Sequence, residues 1–320
     1  MPKLQPAVMN LLVNVPASFE GEPGTGYLDL SQCASILNRR FYRQGLQWVV
    51  QDFQILQSAA ISSNGRFTIE GLPLTWVCSN AWHKSFAMWK KQQDEVMEDY
   101  EGESAIAKFR DFKIFMDGDH VEAGFAANLL PVKSGGGTFT PGEWDPSQIV
   151  VPNYDDDGSG SLVNPAEFYL HMVGASFGPA SVSRGIIDGY QYSRSYPQSP
   201  DPVSPSQDSG FNWMRDMFNV GNNNPEVAAN ASDNNDELPY PQVDYPGGDT
   251  QAPVLELRYH TDIVKSGSQS VTHTSFRAPG GMFPSGLIKF SNNTDQVLEV
   301  MLNLVPGDHR GYLAAPMQDM

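Results

Sequence analysis

The sequence predicts an all-β protein: a single jelly roll, which is an antiparallel β-sandwich, with one or two helices and long loop insertions. Short apolar runs rich in aromatic and β-branched residues recur along the 320-residue chain. Glycine and proline, 29 and 24 residues, lie between these runs as turn signals. Hydrophobic residues make up 40% of the chain, which is enough to form a folded core.

The first elements are short. Residues 27–31 (YLDLS) are expected to form a strand, and 32–40 (QCASILNRR) a short helix. The run 47–57 (QWVVQDFQILQ) predicts a strand because it is rich in aromatic and β-branched residues. The run 66–77 (RFTIEGLPLTWV) is expected to pair with it as a hairpin across the Asn64-Gly65 turn.

One segment has the period of a helix. In residues 79–100 the apolar residues recur at spacings that place most of them on one helix face. Ser79 or Asn80 is positioned to cap the start of this helix. A face of this composition is typical of core packing rather than of a ligand site. It consists of Trp82, Phe86, Trp89, Val96 and Tyr100.

Strand-like runs resume after the helix, on both sides of a long polar segment. They cover 107–117, 147–152, 166–176, a weaker run at 185–193, and then 254–264, 270–278, 286–292 and 296–306. The polar segment is acidic and rich in proline and asparagine, with a short helix expected at 211–220. A segment of this length is usually functional, so an insertion or projection is expected there. The resulting regions are an extended N-terminal arm at 1–25, the first part of the jelly roll at 26–194, the insertion at 195–252, and the last strands with the C-terminal tail at 253–320.

The chain is strongly acidic, with a formal net charge of −17 and an isoelectric point near 4.6. Such a chain is not expected to coat nucleic acid or anionic lipid nonspecifically. Its N-terminal apolar run is short and interrupted by Asn10 and Asn14, so no signal peptide is predicted. No apolar run reaches the length of a membrane span. The two cysteines, Cys33 and Cys78, are expected to be free buried thiols.

No catalytic motif is found in the sequence. It lacks a G-x-x-x-x-G-K-[ST] loop, a G-x-G-x-x-G after a strand, H-E-x-x-H and a nucleophile elbow. The six histidines are scattered, and for His260 and His273, which lie fairly close, no acidic or cysteine partner is implied. We therefore expect a protein that is not an enzyme and that uses no cofactor.

One acidic loop has half of a calcium-site pattern. The stretch NYDDDGSGSLVNPAE places Asn153, Asp155 and Asp157 at alternate positions ahead of a glycine, as in the first half of an EF-hand loop. The twelfth position is Asn164, where a bidentate glutamate is needed. Two interpretations stay open: a weak calcium site to which a neighbouring copy adds oxygens, and a solvated acidic turn.

Two segments resemble a family of viral proteins. Residues 24–55 (GTGYLDLSQCASILNRRFYRQGLQWVVQDFQI) resemble the first part, and residues 298–320 (LEVMLNLVPGDHRGYLAAPMQDM) the C-terminal end, of capsid proteins of circular single-stranded DNA viruses that encode a replication initiator. Smacoviruses and related viruses are the nearest members. The two segments cover about a sixth of the chain.

The resemblance implies a jelly-roll coat protein that is made in the host cell and located in the virion. About 60 copies would form a closed icosahedral shell around a circular single-stranded DNA genome, with an unknown host receptor as a further partner and no membrane. The N-terminal arm would cross to a neighbouring copy or line the interior, and the insertion would face outward. Many capsid proteins of these viruses begin with a long arginine-rich arm, which this chain lacks; smacovirus-type capsid proteins also lack a strong one.

The best local candidate for DNA contact is the stretch NRRFYRQG. Arg39, Arg40 and Arg43 can pair with phosphates, and Phe41 and Tyr42 can stack on bases. The alternative is that these arginines form salt bridges to neighbouring subunits of an acidic protein.

Two other functional classes stay open. One is a β-sandwich carbohydrate-binding or adhesin module that works as a monomer or small oligomer, and the other is a β-sandwich hydrolase. The assembly state separates the coat protein from the binding module, and activity on glycans identifies the hydrolase.

Overall fold

The computed structural model describes residues 6–57, 64–99, 111–154, 164–176, 182–193, 214, 254–264 and 274–319. The strands, in chain order, are β1 (Asn10–Val15), β2 (Gly24–Asp29), β3 (Leu46–Gln57), β4 (Gly65–Gly71), β5 (Gln148–Tyr154), β6 (Asn164–His171), β7 (Ser183–Gly185), β8 (Glu256–Ile263), β9 (Thr274–Phe283), β10 (Leu287–Asn292), β11 (Leu298–Leu304), β12 (Pro306–Gly307), β13 (Gly311–Tyr312) and β14 (Ala314–Pro316). The α-helices are α1 (Leu30–Asn38), α2 (Trp76–Asp99), α3 (Gly118–Ala123) and α4 (Ile186–Ser193). The chain divides into two compact units, the first comprising Met1–Leu74, Ala123–Asp145 and Leu255–Met320, and the second Thr75–Glu122 and Pro146–Val254.

The first unit contains two antiparallel sheets whose strands interleave along the chain. One sheet has the order β1-β11-β3, with β9 and β14 both paired to β3, and the other has the order β2-β10-β4-β8. Four nested antiparallel pairs result: β1 with β11, β2 with β10, β3 with β9 and β4 with β8. The predicted antiparallel β-sandwich is confirmed, and the chain is mostly β.

The core of the first unit lies between these two sheets. Alternate side chains are buried along β11, as the period of a half-buried strand requires. Phe53 of β3 meets Phe290 of β10 with ring centroids 6.1 Å apart, and Phe290 stacks on Phe67 of β4 at 6.0 Å. These rings join the two sheets, so truncation of Phe290 to alanine is expected to cost about 3–5 kcal/mol.

Residues 124–132 belong to the first unit, follow α3 in the chain and contact both sheets. The amide of Leu129 donates to the carbonyl of Tyr27 in β2 at 2.7 Å, and the amide of Val132 donates to the carbonyl of Leu12 in β1 at 2.8 Å. A side chain at Gly26 would clash with this segment, since a Cβ there lies 2.7 Å from Leu129. Glycine at this position therefore permits the close approach.

The second unit combines a small sheet with helices. Strand β5 pairs antiparallel with β6, and β7 pairs parallel with β6. On α2 the rings of Trp82, Phe86 and Trp89 surround Phe112, with centroids 5.9, 5.7 and 5.4 Å from it. This confirms the interpretation of the aromatic helix face as core packing for these three residues, and the side chains of Val96 and Tyr100 lie outside the described part of the chain.

The predicted helix at 79–100 is confirmed, but it starts one turn earlier. It begins at Trp76, and the hydroxyl of Thr75 accepts a hydrogen bond from the amide of Cys78 at 3.3 Å. The two expected caps, Ser79 and Asn80, therefore lie inside the helix. The described residues form four α-helices rather than the one or two that were predicted.

The predicted hairpin between 47–57 and 66–77 is wrong. These runs form β3 and β4, which belong to different sheets. Alternation of apolar and polar residues defines a half-buried strand but does not determine which strand it pairs with. The prediction of a hairpin therefore depended on the Asn-Gly turn signal alone, and this signal was misleading.

Two further strand predictions need correction. The run at 185–193 forms α4 after the three residues of β7, and Ile186, Ile187 and Tyr190 are buried at helical spacing. Of the run 107–117, only 111–117 is described, and it contains an isolated bridge between Phe115 and His171 rather than a strand. The amide of Lys113 there donates to the hydroxyl of Ser147 at 2.9 Å instead of to a neighbouring strand.

The expected N-terminal arm is extended at residues 10–15, where it forms β1. Leu11, Val13 and Val15 are buried in the core of their own chain. This counts against the expectation that the whole arm crosses to a neighbouring copy. Apart from Met214, the 195–252 insertion and its expected helix lie outside the described residues.

Candidate nucleic-acid interface

Helix α1 begins at a buried carboxylate. Oδ1 of Asp29 accepts from the amides of Ser31 at 2.8 Å and Gln32 at 3.2 Å, which caps the helix. Oδ2 accepts from Nε2 of Gln44 at 3.1 Å and from Nε1 of Trp144 at 3.0 Å. Burial raises the pKa of Asp29 to about 6, although all four hydrogen bonds act in the opposite direction. The carboxylate fixes the start of α1 and the end of the loop that follows it.

That loop, residues 39–45, carries the three arginines identified in the sequence, and hydrogen bonds from α1 hold it. The hydroxyl of Ser31 donates to the carbonyl of Arg43 at 3.0 Å and accepts from Nε1 of Trp48 at 3.1 Å. The amide of Tyr42 donates to the hydroxyl of Ser35 at 2.9 Å. The backbone around the arginines is therefore fixed by the side chains of Ser31 and Ser35 of α1.

A turn near the C-terminus packs onto this loop and adds a fourth arginine. The hydroxyl of Tyr42 donates to the carbonyl of Arg310 at 3.1 Å, and Nη1 of Arg310 donates to the carbonyl of Phe41. Nδ2 of Asn38 donates to the hydroxyl of Tyr312 at 2.7 Å. We call the resulting surface the basic patch; it consists of Arg39, Arg40, Arg43, His309 and Arg310.

The arginines differ in exposure. Arg39 and Arg43 are exposed, and Arg40 is half-buried. Among the residues that the structure describes, neither Arg39 nor Arg43 forms an ion pair with a carboxylate. Their guanidinium groups are therefore turned to solvent in an otherwise acidic chain.

The two aromatic residues of the loop have different roles from those expected. Tyr42 is fully buried, with its ring 5.5 Å from that of Tyr312 and 5.8 Å from that of Trp48, so it cannot stack on a base. Phe41 is half-buried, and its ring lies 6.4 Å from that of Trp144. Neither aromatic residue of the loop therefore presents a fully exposed ring.

Two arginines of the basic patch have a backbone conformation that favours glycine. Arg39, which ends α1, has φ 53°, and Arg310 has φ 51°. The left-handed region is uncommon for residues with a side chain, and residues held there cluster at functional sites. Arg310 forms a side-chain hydrogen bond to the carbonyl of Phe41, whereas no such bond of Arg39 offsets its strain among the described residues.

The charge of the basic patch near neutral pH comes from its arginines. Burial lowers the pKa of His309, and the neighbouring charge of Arg310 lowers it further. The imidazole is therefore neutral at pH 7. Asp308 lies next to His309 in the chain and is exposed.

Sequence reasoning identified Arg39, Arg40 and Arg43 but missed Arg310. Arg310 lies 269 positions from its hydrogen-bond partner Phe41, so no local pattern relates them. Of the expected calcium ligands, Asn153 lies in β5, and Asp155 and Asp157 lie outside the described residues. Within the described ranges, no group of three His, Cys, Asp or Glu residues is arranged to hold a metal ion.

Comparisons of the chain with protein-family models, with curated proteins and with solved structures found no significant match. In the part of the chain that the structure describes, no helix is both long and apolar enough to cross a membrane.

Proposed function

We propose that the chain is a viral coat subunit of the jelly-roll type, and that its copies assemble into a closed icosahedral shell around a small circular single-stranded DNA genome. The observation that supports this most directly is the nested strand pairing of the first unit. The outermost pair is β1 with β11 and the innermost is β4 with β8, as in one long antiparallel ribbon.

The ribbon is also rolled up, because β11 pairs with β3 and β10 pairs with β4. A jelly roll is an eight-stranded, two-sheet arrangement of this kind, and viral coat proteins are a main class that uses it, together with lectins and cupins. The second unit is inserted in the chain between β4 and β8, where it leaves the pairing of the eight strands intact.

The basic patch supports a nucleic-acid partner. Arginine guanidinium groups form paired hydrogen bonds with phosphate. Arg39, Arg43 and Arg310 supply such groups, and all three side chains are exposed. A small basic surface on a chain of net charge −17 fits local contact with a packaged single strand better than coating of any polyanion.

The test uses shells of the wild-type chain and of Arg39→Ala/Arg43→Ala, treated with nuclease before the protected nucleic acid is measured. We expect shells of unchanged size that hold less DNA in the double variant. Arg277→Ala is the matched control, because Arg277 is an exposed arginine of β9 outside the basic patch. Equal DNA in the double variant and the control contradicts the assignment of the basic patch. A wild-type chain that stays monomeric under all salt and calcium conditions favours the carbohydrate-binding module.

A further inference from the structure

The most exposed large apolar side chain among the described residues is Phe19, which is 75% exposed. It sits on a tight turn, in which its amide donates to the carbonyl of Glu22 at 3.0 Å and the amide of Glu22 donates back at 2.9 Å. Glu20 and Gly21, at the centre of the turn, both have positive φ, 51° and 89°. We call residues 18–22 the Phe19 turn.

The Phe19 turn is braced against the loop that follows β10. The amide and the hydroxyl of Ser18 both donate to the carbonyl of Thr294, at 2.8 and 2.9 Å. Nδ2 of the buried Asn292 donates to the carbonyl of Pro16 at 2.9 Å. A Cβ at Gly24 would lie 2.3 Å from that same carbonyl oxygen, so the chain is tightly packed here. A preorganised turn loses little conformational entropy when it binds, which is the property of an anchor residue.

A groove of about 490 Å³ lies beside the same loop, and we call it the Arg66 groove. The groove contains Val264, which is 71% exposed and is the most exposed large apolar side chain after Phe19 among the described residues. Nε of Arg66 donates to Oδ1 of Asp262 at 3.0 Å, and the remaining guanidinium donors of Arg66 have no other partner among the described residues. The groove is lined by Asn64, Gly65, Arg66, Asp262, Ile263, Val264 and Asn293.

We propose that Phe19 of one copy inserts into the Arg66 groove of the next copy, with a carboxylate of the Phe19 turn meeting Arg66. This inference rests on the proposed assembly into a shell. Phe19 offers a rigid ring beside two carboxylates, and the groove offers an apolar side chain beside guanidinium donors of Arg66 for which the described residues provide no acceptor. At protein interfaces, a few anchor residues of this kind, which fill pockets on the partner, contribute most of the binding free energy.

The proposed partner is a second copy because one chain carries both complementary surfaces, an apolar ring with carboxylates and an apolar side chain with an arginine. The Phe19 turn and the Arg66 groove share one loop, since Thr294 braces the turn and Asn293 lines the groove. The high exposure of Phe19 means that it does not fill the groove of its own chain. Contact between two different surfaces of the same chain is heterologous, and its repetition closes a ring when the rotation between copies divides a full turn.

Disulfide cross-linking between copies tests the contact. Phe19→Cys and Val264→Cys are made in separate chains, assembled together and oxidised. Cys33 and Cys78 are buried, so they do not compete for the oxidant. We expect covalent dimers in the mixture and none in either variant alone. Leu257→Cys replaces Val264→Cys in the matched control, because Leu257 is 58% exposed at the opposite end of β8.

The result that overturns the inference is a mixture that gives no more dimer than the Leu257 control, although wild-type shells form. Dimers of Phe19→Cys alone also overturn it, since they mean that two Phe19 turns meet each other. Failure of the wild-type chain to form shells overturns the proposed function, so the two failures are distinguishable.

Truncation of Phe19 gives an independent measurement. We expect Phe19→Ala to weaken each contact about 30-fold and to raise the assembly concentration at least as much. Its thermal unfolding should match that of the wild type because the ring contributes little to the core. An unchanged assembly concentration, measured by light scattering beside Leu257→Ala, contradicts the proposal.

Discussion

Replacement of Arg39 by glycine separates the stability of the basic patch from its binding. Arg39 has φ 53°, its side chain is exposed, and it forms no ion pair with a described residue. Most substitutions of a functional residue risk damage to the fold. At this position glycine is the residue that the backbone favours, so Arg39→Gly should weaken DNA binding without harm to the protein.

The expected magnitudes follow from the backbone and from the charge. The left-handed conformation costs a residue with a side chain about 1–2 kcal/mol, and the greater freedom of glycine in the unfolded chain offsets about 0.5–1 kcal/mol of that. The net change in the free energy of unfolding is therefore a gain of about 0–1.5 kcal/mol. Loss of one phosphate contact lowers the slope of log affinity against log salt by about 0.7 for a single strand, which is about fivefold in affinity between 1 M and 0.1 M salt.

The assay is fluorescence anisotropy of a labelled single-stranded oligonucleotide, with subunits kept below their assembly concentration and salt varied over a decade. Urea unfolding of the same samples gives the stability. Arg39→Ala, which keeps a side chain in the strained conformation, should lose the same affinity without the gain in stability. An unchanged salt slope in Arg39→Gly, equal to that of the Arg277→Ala control, refutes the role given to Arg39.

Three other predictions concern the core. The pKa of Asp29 is raised from 3.8 to about 6, so the folded chain binds the proton of this carboxyl more tightly than the unfolded chain does. The protonated group therefore contributes about 3 kcal/mol to the free energy of unfolding below about pH 4, and this contribution is lost as the pH rises through 6. The urea midpoint should fall between pH 4 and 7 in the wild type and stay constant in Asp29→Asn. Identical pH profiles of the two proteins exclude Asp29 as the source of the pH dependence. Gly280→Ala should cost more than about 3 kcal/mol, because its Cβ lies 2.0 Å from the carbonyl oxygen of Val50, whereas at Gly281 nothing lies within 4 Å and the same change should cost under about 1 kcal/mol. Cys33 and Cys78 should not react with a thiol reagent until the chain unfolds; a stoichiometric reaction in the native state contradicts their burial.

Most strands were predictable from the sequence because their signal is local. The runs that form β3, β4, β8, β9, β10 and β11 alternate or concentrate apolar residues, and burial of one face sets that pattern within each strand. The same reasoning placed α1 and α2. Where the signal was short, it failed: the run at 185–193 has aromatic and β-branched residues but forms α4.

Pairing and the complete basic patch could not be predicted for the same physical reason. A strand with one buried face packs equally well beside several partners, so the nested order of β1 to β11 depends on contacts between residues far apart in the chain. Arg310 reaches the loop of Arg39 only through that order. The burial of Tyr42 likewise depends on Tyr312, which belongs to the other end of the sequence.

The measurement that tests the central claim most directly is the mass of the purified protein, by analytical ultracentrifugation and negative-stain microscopy, followed by extraction of nuclease-protected nucleic acid. The proposed function predicts uniform closed particles of about 2,100 kDa, which correspond to about 60 copies of a 35.2 kDa chain, with protected single-stranded DNA inside. A single species of 35.2 kDa at every salt and calcium concentration contradicts it.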